Sequence, residues 1–160
     1  MTGLLEPARI TGATLGFKYA VCGIDGSPEG AVAAQQAARL LGPGGRLLLV
    51  AGVDPWDALT RSQGDLDCAR ARLHADAEEA FLRARLKLDN ERDSDGRVAD
   101  GPPVDTLLDE VKREGADLVT VGTHGLGRAH GYLVGSVTTL LLHEAPCSVL
   151  VVRELASGRP

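Results

Sequence analysis

Five glycines fall within fourteen residues, at positions 122, 125, 127, 131 and 135, and Ser136 follows at once. An apolar run at 116–121 leads in, and a short amphipathic pattern at 136–143 leads out. Strand, glycine segment and helix start in that order make an anion site. Glycine lets backbone N–H groups approach a ligand closely and adopt positive φ. The free N–H groups of the first helical turn, with the helix dipole, then favour negative charge. Ser136 stands where an N-cap hydroxyl would stand, or where it would face a phosphate oxygen. The same composition also fits a plain surface loop whose glycines only make turns. A second chemical group is Asp25-Gly26-Ser27, directly after the apolar run 17–24. Asp25 has two readings, as a cap for the helix behind it or as a contact to a ligand.

Other chemistries lack their residues. No G-x-x-x-x-G-K-[ST] occurs, and lysine is found only at 18, 87 and 112. No G-x-G-x-x-G follows the first strand, and no G-x-S-x-G elbow exists. His124 and His130 lie six apart in a loop, which is no metal spacing, so both are read as solvent-facing. Cys22, Cys68 and Cys147 are scattered without a CxxC, and are read as reduced and structural. No catalytic residue and no metal ligand is assigned.

The elements that must position these groups follow from periodicity. Strands are expected at 17–24, 46–53, 97–99, 116–121 and 148–153. The first helix starts at Pro28 behind a Ser27 cap, with Ala31, Ala34, Ala38 and Leu41 inward, and Gly42-Pro43 stops it. A loop at 54–64 holds Trp56, read as a lid over the second strand's end. A long helix at 65–88 carries the stripe Leu66, Ala69, Leu73, Ala77, Ala80, Ala84 and Leu88. Another helix runs from Pro102-Pro103 to 114, and the last, from Ser136, is stopped by Pro146. Strands alternating with helices give an α/β fold: one domain, a parallel sheet in the order 3-2-1-4-5, helices on both faces, Rossmann-like. In that order the winding reverses between the first and fourth strands, so Asp25 and Gly122 should converge. The domain is expected at 17–153, between tails at 1–16 and 154–160.

With 160 residues, 44% of them apolar, the chain suits one sizeable core. Aromatics are only 3%, so leucine, valine and alanine must build it. A net charge of −5 without a basic cluster argues against nucleic acid. No apolar stretch reaches ~18 residues and no signal-peptide pattern opens the chain, so a cytoplasmic protein without a membrane partner is expected. The last strand, at 149–152, lies on the sheet's edge. It carries neither charge nor proline, so pairing with a second copy is expected there.

The spacing G-x2-G-x9-G-[ST], realised as Gly122, Gly125, Gly135 and Ser136, resembles the universal stress protein family in its ATP-binding branch. The likeness runs from about Tyr19 to Arg153 and includes the start at 21–27, Gly101-Pro102, the stretch 116–125 and the stretch 145–153. It implies a stress-response module binding ATP or another adenine nucleotide, any Mg2+ entering on the phosphates, and a homodimer. A dimeric scaffold that binds no nucleotide is the alternative. Carried over by motif, Asp25 lies near ribose or adenine, and Gly52 and Val53 touch adenine through their backbone. Gly122, Gly125, Gly135 and Ser136 hold ribose and phosphates, with Thr123, His124, Arg128 and Val137 in the same set. Relatives commonly have a bulkier residue at Gly52, so a looser adenine wall is expected here. They also carry more basic residues in the loop, where this chain has only Arg128, a phosphate partner or a solvated charge. No nucleophile stands beside a base, so ATP hydrolysis is expected to be slow at most.

Overall fold

Successive residues of the first strand serve two different cores. Ala20 and Cys22 enter one apolar cluster and Val21 the other, all fully buried. A strand buried on both faces has to be central, with helices above and below it. The computed structural model describes residues 16–54, 59, 65–88, 94–123 and 135–153. Among them the order is β1 (Phe17–Gly23), α1 (Pro28–Leu40), β2 (Leu41–Val53), α2 (Leu66–Arg85), β3 (Ser94–Asp100), α3 (Pro103–Glu114), β4 (Leu118–Gly122), α4 (Ser136–Glu144) and β5 (Ser148–Val152). The sheet is parallel throughout in the order β3-β2-β1-β4-β5, as expected. Of the tails read at 1–16 and 154–160, all but Gly16 lies outside the described residues, as do Trp56 and the segment 124–134.

Helices α1 and α2 cover one face, α3 and α4 the other. Ser27 caps α1 as expected, its hydroxyl accepting the Gly30 N–H at 3.1 Å, with Pro28 first in the helix. The buried residues of α1 are Gly30 and five alanines, Ala31, Ala33, Ala34, Ala37 and Ala38, with Val32 half-buried beside them. Such small side chains bring the helix axis close to the sheet. The stripe of α2 buries Ala77, Ala80, Phe81 and Ala84, while Leu66 stays at the surface. On α3, Leu107, Leu108 and Val111 face inward as read.

Two strands differ from the sequence reading by more than two residues at an end. β2 starts at Leu41 and not at Arg46. Leu41 pairs with Phe17, residues 42–45 bulge out, and Arg46 resumes the ladder opposite Tyr19. Glycine and proline there read as a helix stop, which they are, but the chain enters the sheet without a loop. β3 extends from Ser94 to Asp100, pairing along β2 from Leu47 to Val53. Its polar sequence hid it. It is an edge strand, and its Arg97 is paired with Glu110 and, at 3.2 Å, with Glu114 of α3. Burial pushes the Glu110 carboxyl up, against the pull of Arg97.

Asp117, just before β4, fastens the start of the sheet. Its carboxylate accepts the amides of Lys18, at 3.1 and 3.0 Å, and Tyr19, at 2.9 Å. Its own N–H donates to the Tyr19 carbonyl, and its carbonyl accepts from Ser148. One residue thus ties together the entries of β1, β4 and β5. Partial burial works to raise its pKa, but the amides of Lys18, Tyr19 and Asp117 outweigh it and hold the carboxyl below the ordinary value. A carboxyl depressed in the fold adds stability above its unfolded pKa of ~3.9. That stability is lost as pH falls through the folded value. Asp117→Ala should cost about 1–3 kcal/mol in urea denaturation at pH 7, with the gap to wild type narrowing as pH falls below the ordinary carboxylate value of ~3.9. An unchanged midpoint at pH 7 would show that the staple contributes nothing.

Candidate functional site

β1 and β4 are neighbours, yet their connections leave on opposite faces: β1 feeds α1, and β4 feeds α4. Their carboxyl ends therefore open a crevice where the winding reverses, the place where such sheets take ligands. On the β1 side, the Asp25 carboxylate accepts the Ser27 N–H at 2.9 Å. Gly26 turns between them at φ +83°, a conformation that side chains disfavour. Asp25 thereby sets up the Ser27 cap while remaining exposed at the crevice mouth.

On the β4 side the decisive residue is Gly122. A Cβ there would lie 2.8 Å from Glu29 Cβ and 3.3 Å from the Gly30 nitrogen. The first turn of α1 rests directly on the end of β4, and this contact brings the two candidate loops together. Thr123 follows, buried. Its N–H donates to the Val152 carbonyl at 2.8 Å. Its hydroxyl lies 3.0 Å from Glu29 Oε2 and 3.3 Å from the Val152 carbonyl, so one hydrogen serves two acceptors. The Gly135 N–H then donates to the Thr123 carbonyl at 3.0 Å, closing the stem of the glycine segment. The Thr138 hydroxyl donates to the Gly122 carbonyl at 3.0 Å and pins α4 to the same stem.

The N-cap of α4 is Gly135 and not Ser136. Ser136 is the first helical residue and is exposed. A glycine cap carries no side-chain acceptor, and none caps α4 among the described residues. The N–H groups of its first turn are thus suited to an outside anion. Val137 instead packs half-buried against the α3–α4 core.

One strand away, Gly52 and Val53 end β2. A Cβ on Gly52 would lie 2.5 Å from Pro103 Cα and 2.5 Å from Thr106 Oγ1. The room left by the missing side chain is filled by the start of α3, so the wall expected to be loose is packed at this point. The Val53 carbonyl accepts the Gly101 N–H at 2.9 Å. The structure therefore gathers Asp25, Gly122, Thr123, Gly135 and Ser136 at one crevice, with Gly52 and Val53 beside it. His124, Gly125 and Arg128 lie outside the described residues.

Three groups were not picked out from the sequence. Glu29 and Thr138 were passed over. So was a cluster at the end of β3, where Asp100 takes Arg70 and, at 3.0 Å, His74 from α2. The His74 hydrogen bond, then Arg70, hold the Asp100 carboxyl below its ordinary value against desolvation. The spacing of Arg70 and His74, four apart on a helix, was the available signal. Burial pushes the Cys22 thiol up to about 12, so it stays an inert thiol. Among the described residues no three His, Cys, Asp or Glu side chains group to hold a metal, and no helix is long and apolar enough to cross a membrane.

Residues 16–153 match the model of the Universal stress protein family. A universal stress protein of Thermus aquaticus is 32% identical over 138 residues, covering 86% of this chain and 99% of that protein. A solved universal stress protein in complex with cAMP aligns with TM-score 0.61 at 27% identity, over 86% of this chain and 98% of that one. A hypothetical protein solved as a structural-genomics test case aligns with TM-score 0.75 over 88% and 98%; at 19% identity it shows the fold alone.

The Gly122 contact is open to test. Gly122→Ala should force α1 and β4 apart by some tenths of an ångström, at a cost of about 1–3 kcal/mol. The melting temperature should fall by about 2–10 °C in calorimetry. A variant as stable as wild type would mean that the contact yields freely.

Proposed function

The chain belongs to the universal stress protein family, and on that premise we propose that it binds an adenine nucleotide, ATP or a relative with a shorter phosphate chain, in the crevice between β1 and β4. The observation that carries the reading is the seating of α1 on Gly122, which sets the Asp25 turn beside the stem of the glycine segment. The amides of the first α4 turn then take phosphate, and backbone groups at the end of β2, about Gly52 and Val53, meet the base. Asp25 takes ribose or base. Gly125, His124 and Arg128 belong to the segment that would close over the phosphates. The cAMP complex of a relative supports the class of ligand. Mg2+ would enter with a polyphosphate. The hydroxyl that stands beside a carboxylate at the crevice, Thr123 beside Glu29, is buried and shared with the Val152 carbonyl, so the protein is read as a binding module of the stress response and not as an efficient enzyme.

We further propose that it works as a homodimer joined through β5. That strand is an edge, Val149, Leu150 and Val151 are only half-buried, and Leu140 and Leu142 of the neighbouring α4 are 43% and 56% exposed. The opposite edge, β3, is studded with Asp95, Arg97 and Asp100 and so is defended by charge. Pairing about a two-fold axis covers β5 and ends growth.

Titration calorimetry with ATP, ADP, AMP and cAMP should give binding, lost or weakened at least tenfold in Gly125→Val, with ATP turnover below ~1 s⁻¹. Absence of binding for all four would leave the nucleotide-free scaffold as the better reading. In light scattering the particle should have about twice the 16.7 kDa chain mass, and Val151→Lys should shift it towards that mass. A wild-type monomer at tens of micromolar would refute the pairing.

A further inference from the structure

Helices α1 and α2 pack on each other and run back from the carboxyl to the amino ends of the strands, as crossovers between parallel strands require. Their last turns therefore lie on one face, at the amino end of the sheet. Three leucines stand bare there. Leu40, which ends α1, is 40% exposed. Leu82, in the last turn of α2, and Leu86, directly after it, are 59% and 86% exposed. Leu82 and Leu86 are four apart and so share one side of the helix. Single apolar side chains at a surface are ordinary, but three leucines at one end of one face form a patch.

The chain enters the fold at the same place. Gly16 lies against Gly42, so closely that a Cβ on it would come within 2.4 Å of the Gly42 nitrogen. Gly42 is two residues past Leu40, so residues 1–15 join the fold beside the end of α1. Phe17, the next residue, packs half-buried on the core beneath α1 and α2. The segment 1–15 carries Leu4, Leu5 and Ile10, with Glu6 between the leucine pair and the isoleucine. Arg85 and Lys87, both exposed, border Leu86. The match to the family begins only at residue 16, so the segment is no part of the shared fold.

We propose that the surface formed by Leu40, Leu82 and Leu86 is the docking site of residues 1–15 of the same chain, which lay Leu4, Leu5 and Ile10 on it and bring Glu6 to Arg85 and Lys87. The reach suffices. Counted back from Gly16, the six residues to Ile10 span up to about 20 Å, and the eleven to Leu5 up to about 36 Å. The axes of packed helices are only ~8–10 Å apart. Size decides between this segment and a separate partner. A stable interface between separate molecules buries upward of about 1,000 Å², far more than three leucines offer. A tethered segment is present at an effective concentration of about millimolar, so a small apolar contact holds it. Docked there, it would bridge the ends of α1 and α2.

The full chain carries the test in three variants. Leu4→Gln with Leu5→Gln alters the segment, Leu82→Gln with Leu86→Gln alters the end of α2, and the third variant has all four changes. Leucine and glutamine are close in helix propensity, so an uncovered helix end would tolerate the second pair. In calorimetry each pair should lower the melting temperature by about 2–5 °C, and all four together no further than the larger of the two. Hydrogen exchange reads the place itself. The amides of Leu86, Lys87 and Leu88 donate to the carbonyls of Leu82, Ala84 and Arg85. They should exchange about threefold faster or more in the segment variant, while those of β4 keep the wild-type rate. Melting shifts that simply add, or a segment variant with wild-type exchange at the end of α2, overturn the docking. A coupling that vanishes on about tenfold dilution also overturns it, since it assigns the leucines to a second copy.

Discussion

The close approach of α1 to the sheet is the constraint on which the rest depends. Its buried side chains from Ala31 to Ala38 are all alanine, so nothing long holds it off β1 and β4. At its first turn even a methyl group would be excess, and Gly122 supplies its absence. A helix held this near must begin at the crevice. Its cap residue Ser27, its acidic residue Glu29 and the preceding Asp25 are then delivered to the end of β4. The same closeness leaves the α1–β4 boundary little room for relaxation, since cores pack at crystal-like density and transmit strain.

Hydrogen bonds finish what packing starts, and they are distributed by end. At the amino end of the sheet Asp117 ties β1, β4 and β5 through main-chain amides. At the carboxyl end Thr123 joins β4 to β5, to α1 and to the start of α4. The first set supports the scaffold, and the second shapes the crevice. The ion pairs of Arg97 with Glu110 and Glu114 and of Asp100 with Arg70, and the hydrogen bond between Asp100 and His74, fasten α3 and α2 to the outer strand β3. Asp100, Arg70 and His74 are exposed or half-exposed, so their contacts are worth little, whereas Glu110 is buried and needs Arg97 to offset the cost of its burial. Both sets of contacts supply alignment for an edge strand whose own sequence has little apolar content.

Much was legible because it depends on local chemistry. Ser27-Pro28 marks a helix start through a cap and a fixed φ, and the structure has both. The apolar runs at 47–51 and 118–121 require burial on two faces, and alternation of strands and helices then restricts the topology to few choices. The convergence of Asp25 and Gly122 followed from that topology alone. What failed locally failed for stated reasons. Ser136 looked like a cap because serine caps well, but the cap lies one residue earlier, at a glycine held by Thr123, and Ser136 is already helical. Gly42-Pro43 looked only like a terminator, and Leu41 like the last inward residue of the helix, because nothing in glycine and proline announces a bulge.

By itself the sequence determined the kinds of element, their order, the parallel sheet, the family and the residues able to meet an anion. These rest on periodicity, capping and glycine content, which act over a few neighbouring positions. Tertiary structure alone decided that Gly52 makes room for Pro103 and Thr106, that Thr123 is spent on holding the stem, and that Glu29 comes to it across 94 residues. Asp100 meets His74 and Arg70 in the same way. Such contacts join residues far apart in the chain. Their partners are chosen by the distance between packed elements, and no local pattern of residue types carries that distance.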